Sequence, residues 1–244
     1  MKRILFFLIA LFFALTPAIQ PQRIVHCPTA GIINHGDLLI TAFIFPGDGL
    51  RSGVSLGLLD RVQLGVSYGA MKLVGRGSVD IDPRPGGEIR IRLFHEGEKL
   101  PAIALGAETI GFGEYRDDLK RHEHKSRGAF LAASKNWRFL GGNLGAHVGV
   151  NYSFEEDFNR GFSAYIGIDK DFAEVIGFKI EYDLAPGDWD EPYGNGYGYL
   201  SADISAYFGS STYATICFFD ILGNIRGKPA PAREFFVFWG VDLF

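Results

Sequence analysis

The feature that most constrains this chain is an alternation of apolar and polar side chains that runs almost from end to end. Leu144, Ala146, Val148, Val150, Tyr152 and Phe154 fall on one face, with Gly145, His147, Gly149, Asn151 and Ser153 on the other. Phe178, Ile180, Tyr182 and Leu184 oppose Lys179, Glu181 and Asp183 in the same way. Leu200, Ala202, Ile204, Ala206 and Phe208 oppose Tyr199, Ser201, Asp203, Ser205 and Tyr207, and Ile89, Ile91 and Leu93 oppose Glu88, Arg90 and Arg92. A period of two belongs to β-strands, and sustained 3.6-residue patterning is scarce, so helices are expected to be minor. About twelve such runs occur, near 38–45, 52–59, 61–69, 86–94, 101–110, 127–136, 142–153, 161–170, 177–184, 197–208, 212–220 and 234–243. Most approach the roughly 9–11 residues that a tilted strand needs to cross a hydrocarbon layer.

Alternation alone fits a soluble β-sandwich as well as a membrane barrel, since both give each strand one apolar face. The connections separate them. Long links, at 70–85, 111–126, 185–196 and 221–233, alternate with tight ones at Asp60, 139–141, 171–176 and 209–211. An up-and-down barrel with both termini on one side requires this sorting, whereas a Greek-key sandwich does not. Aromatics at strand ends (Phe43, Phe45, Tyr152, Phe154, Tyr197, Tyr199, Phe235, Trp239) are expected to form an interfacial girdle. The chain also stops on an aromatic strand whose last residue, Phe244, resembles the C-terminal Phe of many bacterial outer-membrane proteins, with Asp242 a departure from that pattern. The expected fold is therefore an all-β, transmembrane antiparallel up-and-down barrel of about twelve strands, of outer-membrane type.

The start of the chain agrees with export. Met1, Lys2 and Arg3 make a short basic region, and Ile4 to Leu15 is an apolar run too short to span a bilayer as a helix. The expected organisation is a signal peptide over 1–18, cleaved after Ala18, a periplasmic lead-in over 19–37 and the barrel over 38–244. The formal charge of −4 offers no basic surface for nucleic acid. The two cysteines, Cys27 and Cys217, are too few for a disulfide scaffold.

On a barrel the polar faces look inward. Glu88, Arg90, Arg92, Glu108, His147, Asn151, Asp169, Lys179, Glu181, Asp183 and Asp203 are expected to line the lumen, where their mixed charges can pair. Eight strands leave room only for side chains, so about twelve enclose a narrow or plugged passage. Catalytic signatures are absent: Gly111-Phe112-Gly113 lacks the rest of a dinucleotide fingerprint, and no Walker loop, nucleophile elbow or paired C-x-x-C occurs. His122-Glu123-His124 offers metal-ligand chemistry but sits in the charged run 116–125, which reads as a solvated loop. The acidic clusters at 155–157 and 188–191 read as solvated or as cation-binding near lipopolysaccharide phosphates. His147 and Ser153 share a face but stand about 20 Å apart along a strand at 3.3 Å per residue, too far for a hydrogen bond. The expectation is no enzyme, no metal and no cofactor.

Pro28-Thr29-Ala30-Gly31, the segment Gly53 to Arg61, Pro83-Arg84-Pro85, the segment Pro101 to Gly106 and Ala133-Ser134-Lys135-Asn136 together resemble the YjbH-like outer-membrane proteins associated with exopolysaccharide or capsule production. The resemblance covers roughly residues 28 to 220, and its motifs mark turns and strands. It implies an outer-membrane, porin-like barrel in a Gram-negative envelope that helps export or assemble surface polysaccharide. Its partners would be membrane lipid, lipopolysaccharide, polysaccharide and other export proteins, with no nucleic acid. Two other readings stand beside it: a structural or adhesive barrel with binding loops, and a soluble periplasmic β-sandwich that binds a ligand.

Overall fold

In the computed structural model, residues 21–73, 78–155, 161–191, 193–209 and 211–243 are described. The expected signal peptide and Phe244 lie outside them. The strands are β1 (Asp37–Phe45), β2 (Gly49–Leu58), β3 (Val62–Met71), β4 (Asp80–Ile81), β5 (Gly86–Phe94), β6 (Ala102–Glu108), β7 (Phe112–Arg116) and β8 (Arg121–His124). They continue as β9 (Gly128–Phe139), β10 (Gly142–Tyr152), β11 (Phe162–Phe172), β12 (Ile176–Asp183), β13 (Tyr199–Phe208), β14 (Thr212–Phe219) and β15 (Ala232–Asp242). A single sheet joins thirteen of them in the order β2-β1-β15-β14-β13-β12-β11-β10-β9-β6-β5-β3-β4, and the further pairing of β2 with β3 closes the ring. Without the two-residue β4, the wall is a closed antiparallel barrel of twelve strands. Pairing between neighbours in sequence is what an up-and-down barrel requires, and closure leaves no exposed sheet edge.

The alternation decides which side of each strand faces out. Apolar residues sit opposite one another across the ladders: Ile40 and Val54, Val54 and Val66, Leu64 and Ile89, Ile91 and Leu105, Leu105 and Leu131. The series continues with Val148 and Ile166, Ile168 and Ile180, Ile204 and Ile216, and Ile216 and Phe235. All of these side chains are exposed on the outer surface. A continuous belt of exposed Ile, Val and Leu is what lipid covers and what water disfavours.

β2 and β3, β5 and β6, β9 and β10, β11 and β12, and β13 and β14 adjoin in sequence at one end of the barrel, the turn end. β1 and β2, β3 and β5, β6 and β9, β10 and β11, β12 and β13, and β14 and β15 adjoin at the other, the loop end. Tight reversal demands positive φ, which Leu140 (44°) and Gly141 (72°) supply between β9 and β10.

The interior holds two inserts. Residues 21–33, from the segment expected to be a lead-in, fold back into the barrel, where 21 and 23–33 are buried. From the loop end, the β7–β8 hairpin, paired only with itself, enters the same lumen and buries Phe112, Arg121, His122 and His124. The run 116–125 is thus not simply a solvated loop. Nor are all the strand-end aromatics a girdle: Phe154, Tyr197, Phe235 and Trp239 are exposed, but Phe43, Phe45 and Tyr199 point inward. These three join Phe112, Phe219, Phe236 and Phe238 in the main apolar cluster, because the hairpin gives them an apolar surface to cover.

Candidate functional site: a lumen filled from both ends

The inner faces of the wall strands carry the ionic groups. Lys179 and Asp203, opposite each other on β12 and β13, pair at 3.0 Å with both side chains nearly inaccessible. Glu88 is approached by Arg90 at 3.7 Å, accepts from Ser55 at 2.9 Å, and is also hydrogen-bonded by Gln63. Asp183 accepts from Ser163 at 2.8 Å and pairs with Arg127. Asn151 donates to the Arg127 carbonyl at 3.0 Å. Buried charges of this kind persist only when paired, since desolvation costs each ion several kcal/mol.

The remaining inner groups hold the inserted segment. Its tip is a tight turn, with Arg23 bridged to Pro28 and the Ile24 N–H donating to the Cys27 carbonyl at 2.9 Å. The tip's successive N–H groups, from Val25, His26 and Cys27, donate to the Glu181 carboxylate at 2.9, 3.1 and 2.8 Å. Such a concave set of amides suits an anion, and here the anion is a wall residue. Arg23 donates to both oxygens of Glu108 and lies 4.0 Å from Glu88. Arg90 donates to the carbonyls of Gln22 and Gly31, each at 2.9 Å, and Arg92 to that of Ala30 at 3.0 Å. Tyr165 donates to the Pro28 carbonyl at 2.9 Å. The Ile33 N–H donates to Gln63 at 3.2 Å. His147 links Asp169 to Ser134, whose hydroxyl also accepts the Ala30 N–H at 2.9 Å.

All eleven residues expected in the lumen therefore have inward-facing positions in this network, Glu88 and Arg92 half-buried and the others buried. The segment joins Arg90, Arg92, Glu108 and Glu181. Sequence reasoning missed Arg23 and His26, and on the wall Gln63, Ser134, Tyr165 and Glu234. Glu234 alternates in phase with inward-facing Phe236 and Phe238, a signal that was available.

The hairpin is anchored by a second set. Arg121 donates to both carboxylate oxygens of Asp188 at 2.6 and 3.0 Å, and Tyr199 donates to the same carboxylate at 2.7 Å. Burial alone would raise the Asp188 carboxyl, but the hydrogen bond and charge of Arg121, with Lys125 and Tyr199, hold it down at about 2. Asp188 is therefore not part of a solvated acidic cluster. His122 meets Glu155 at 2.5 Å through Nδ1 and Arg51 at 2.9 Å through Nε2. Burial lowers the His122 imidazole, yet hydrogen bonds to Asp82 and Glu155 outweigh it and leave the pKa raised. His124, buried among cations led by Arg127, is pushed well below its ordinary value.

The two inserts meet. His26, at the tip of the segment, stands edge-on to Phe112 and His124 of the hairpin at 4.7 and 4.8 Å between ring centres. Beside the segment, a space of about 30 Å³ lined in part by Arg23, Ser55, Gln63, Glu88 and Arg90 has room for about one water and none for a sugar ring. At the loop end a cavity of about 300 Å³ opens among Arg84, Thr109, Tyr115, Lys120, His122 and Glu155.

No family model matches the chain, and no curated protein does. Among solved structures it is similar to the KdgM porin, at 11% identity and TM-score 0.50, over 85% of this chain and 99% of that one. A second KdgM structure, in complex with disordered oligogalacturonate, aligns at 10% identity and TM-score 0.50 over the same shares. The NanC porin aligns at 10% identity and TM-score 0.43, over 85% of this chain and 99% of that one. Ring closure, strand order and the exposed apolar belt, taken with the KdgM likeness, give this chain the fold of an outer-membrane porin barrel.

Proposed function

We propose that this protein is a gated outer-membrane channel for saccharide-like solutes, shut at rest, which serves export or assembly of surface exopolysaccharide and catalyses no reaction. Lipid and lipopolysaccharide surround its apolar belt. The observation that carries the reading is that the occupant of the lumen is held largely by polar side chains: Gln63, Arg90, Arg92, Tyr165 and Glu181 bind backbone groups of 21–33. Those donors and acceptors are the kind that sugar hydroxyls use, so a polyhydroxylated solute can replace the segment bond for bond. A solved structure of a barrel of this fold is that of the KdgM porin in complex with disordered oligogalacturonate. Neither insert is a wall strand, so displacing one leaves the ring closed.

Single-channel recording in planar bilayers tests this. The wild type is expected to conduct rarely, and a protein lacking 21–33 to conduct continuously, with current reduced by added oligosaccharide. Arg90→Ala with Arg92→Ala is expected to raise the open probability in the intact chain. A deletion variant that still shows heat-modifiable migration but no current sinks the proposal.

The aromatic junction favours a second reading. Phe43, Phe112, Phe236 and His26 pack edge to face at 4.7 to 5.5 Å, and such contact welds the inserts together. In that case the barrel is sealed and works through its loops. Deleting 112–125 would then abolish surface attachment while polysaccharide output stayed unchanged.

A further inference from the structure

We propose that His26, Cys217 and Glu234 form a binding site for a thiophilic divalent cation, zinc by its donor set, which fastens the inserted segment to the wall. One ligand atom from each residue lies within 4.8 Å of the others. Cys217 of β14 and Glu234 of β15 are direct partners across their ladder, so the sheet fixes two of the ligands relative to each other. His26 arrives from the segment and brings its Nε2 to 2.7 Å from Glu234. Around a tetrahedral zinc with bonds of about 2.0–2.3 Å, ligand atoms stand about 3.4–3.6 Å apart. The observed spacing reaches this with side-chain shifts of about 1 Å.

Two further observations favour an ion. His26 and Cys217 are fully buried and Glu234 nearly so, so the three donors converge in a place closed to bulk water. Charge also balances. A thiolate and a carboxylate together neutralise a divalent cation, so the occupied site places no net charge in a closed interior. Phe112, Phe219 and Phe236 surround the imidazole at 4.7, 4.8 and 5.5 Å, which gives the site a dry, low-dielectric shell and strengthens metal–ligand attraction. Three protein ligands leave a fourth position for a water. Binding releases the Cys217 thiol proton, so affinity falls as the pH is lowered. Cys27, the other thiol, is absent from the cluster and serves as a control.

Cobalt(II) titration of the refolded, detergent-solubilised full-length protein is the test, because thiolate-to-cobalt charge transfer reports the sulfur ligand directly. One equivalent is expected to produce that band, and zinc to bleach it. Cys27→Ser should leave it intact, Cys217→Ser should abolish it, and Glu234→Gln should weaken binding by more than about tenfold. Zinc should raise the temperature at which the barrel loses its anomalous migration in the wild type but not in Glu234→Gln. Absence of the charge-transfer band in the wild type, or its persistence in Cys217→Ser, overturns the site. Should Cys217→Ser fail to fold, unchanged affinity in His26→Ala and Glu234→Gln does the same. The readout is independent of conductance, so its failure leaves the gating proposal untouched, and failure of gating leaves this site standing.

Discussion

Glu181 shows what one inward-facing residue does in this lumen. It accepts three consecutive backbone N–H groups of the segment tip, so removing its charge leaves the acceptor weaker and the amides under-satisfied in a buried place. Glu181→Gln is expected to loosen residues 21–33 by about 1–3 kcal/mol, read as faster hydrogen exchange there with exchange in the wall strands unchanged. The hairpin depends on titratable anchors instead. His122 has its folded-state value raised above the ordinary 6.5, so its contribution to docking is complete below that value and fades as the pH rises through the higher one. Asp188, depressed to about 2 from 3.8, contributes above its ordinary value, and that contribution is lost as the pH falls toward about 2. Corrected exchange of the 112–124 amides should therefore accelerate as the pH rises above the ordinary imidazole value of 6.5, and His122→Asn should remove that dependence. A flat profile in the wild type would show that His122 does not hold the hairpin. The direction of such side chains was legible from alternation. Their partners were not, because Glu181 and Arg90 bind main-chain groups of a segment with no period of its own.

At the scale of elements, the wall and its contents were unequally legible for one reason. A wall strand separates an apolar outside from a polar inside, and that asymmetry writes a period of two into the sequence; the twelve expected runs coincide with β1–β3, β5, β6 and β9–β15 to within a few residues at most ends. The inserts are surrounded by lumen groups on all sides, so nothing imposes a period on them, and the charges of 116–125 read as solvated although Arg121 and His122 are buried. Glycines on the wall did carry a trace. A Cβ on Gly57 would stand 2.0 Å from the Asn34 carbonyl oxygen and 2.4 Å from that of Ile33, so β2 has a glycine where the incoming segment crosses it. Gly57→Ala is expected to displace the start of the segment and leave the ring closed. Limited proteolysis should then cut within 21–36 while migration stays heat-modifiable; resistance equal to that of the wild type would mean that the crossing relaxes elsewhere.

For the whole molecule, the decisive question is what covers the outer belt, since a second sheet or lipid would both favour Ile168 opposite Ile180 and Val148 opposite Ile166. Ring closure already removes the sandwich geometry, because a sheet without edges offers its outer face all round and no partner sheet is present among the described residues. Lipid leaves a signature that protein packing does not, which is dependence on depth. A charge at the bilayer midplane costs about 2–4 kcal/mol, and near the interface about 0–1 kcal/mol. Ile168 lies midway along β11, and Phe162 begins the same strand at the loop end; both are exposed on the outer surface. Ile168→Arg is therefore expected to destabilise the barrel by about 2–4 kcal/mol in lipid vesicles, and Phe162→Arg by about 1 kcal/mol or less, measured by denaturant unfolding. Covering protein would make the buried interface, not depth, set the cost. Equal penalties at the two positions, or a folded, monodisperse chain in the detergent-free aqueous extract of the envelope, would remove lipid as the solvent of this face, and with it the channel.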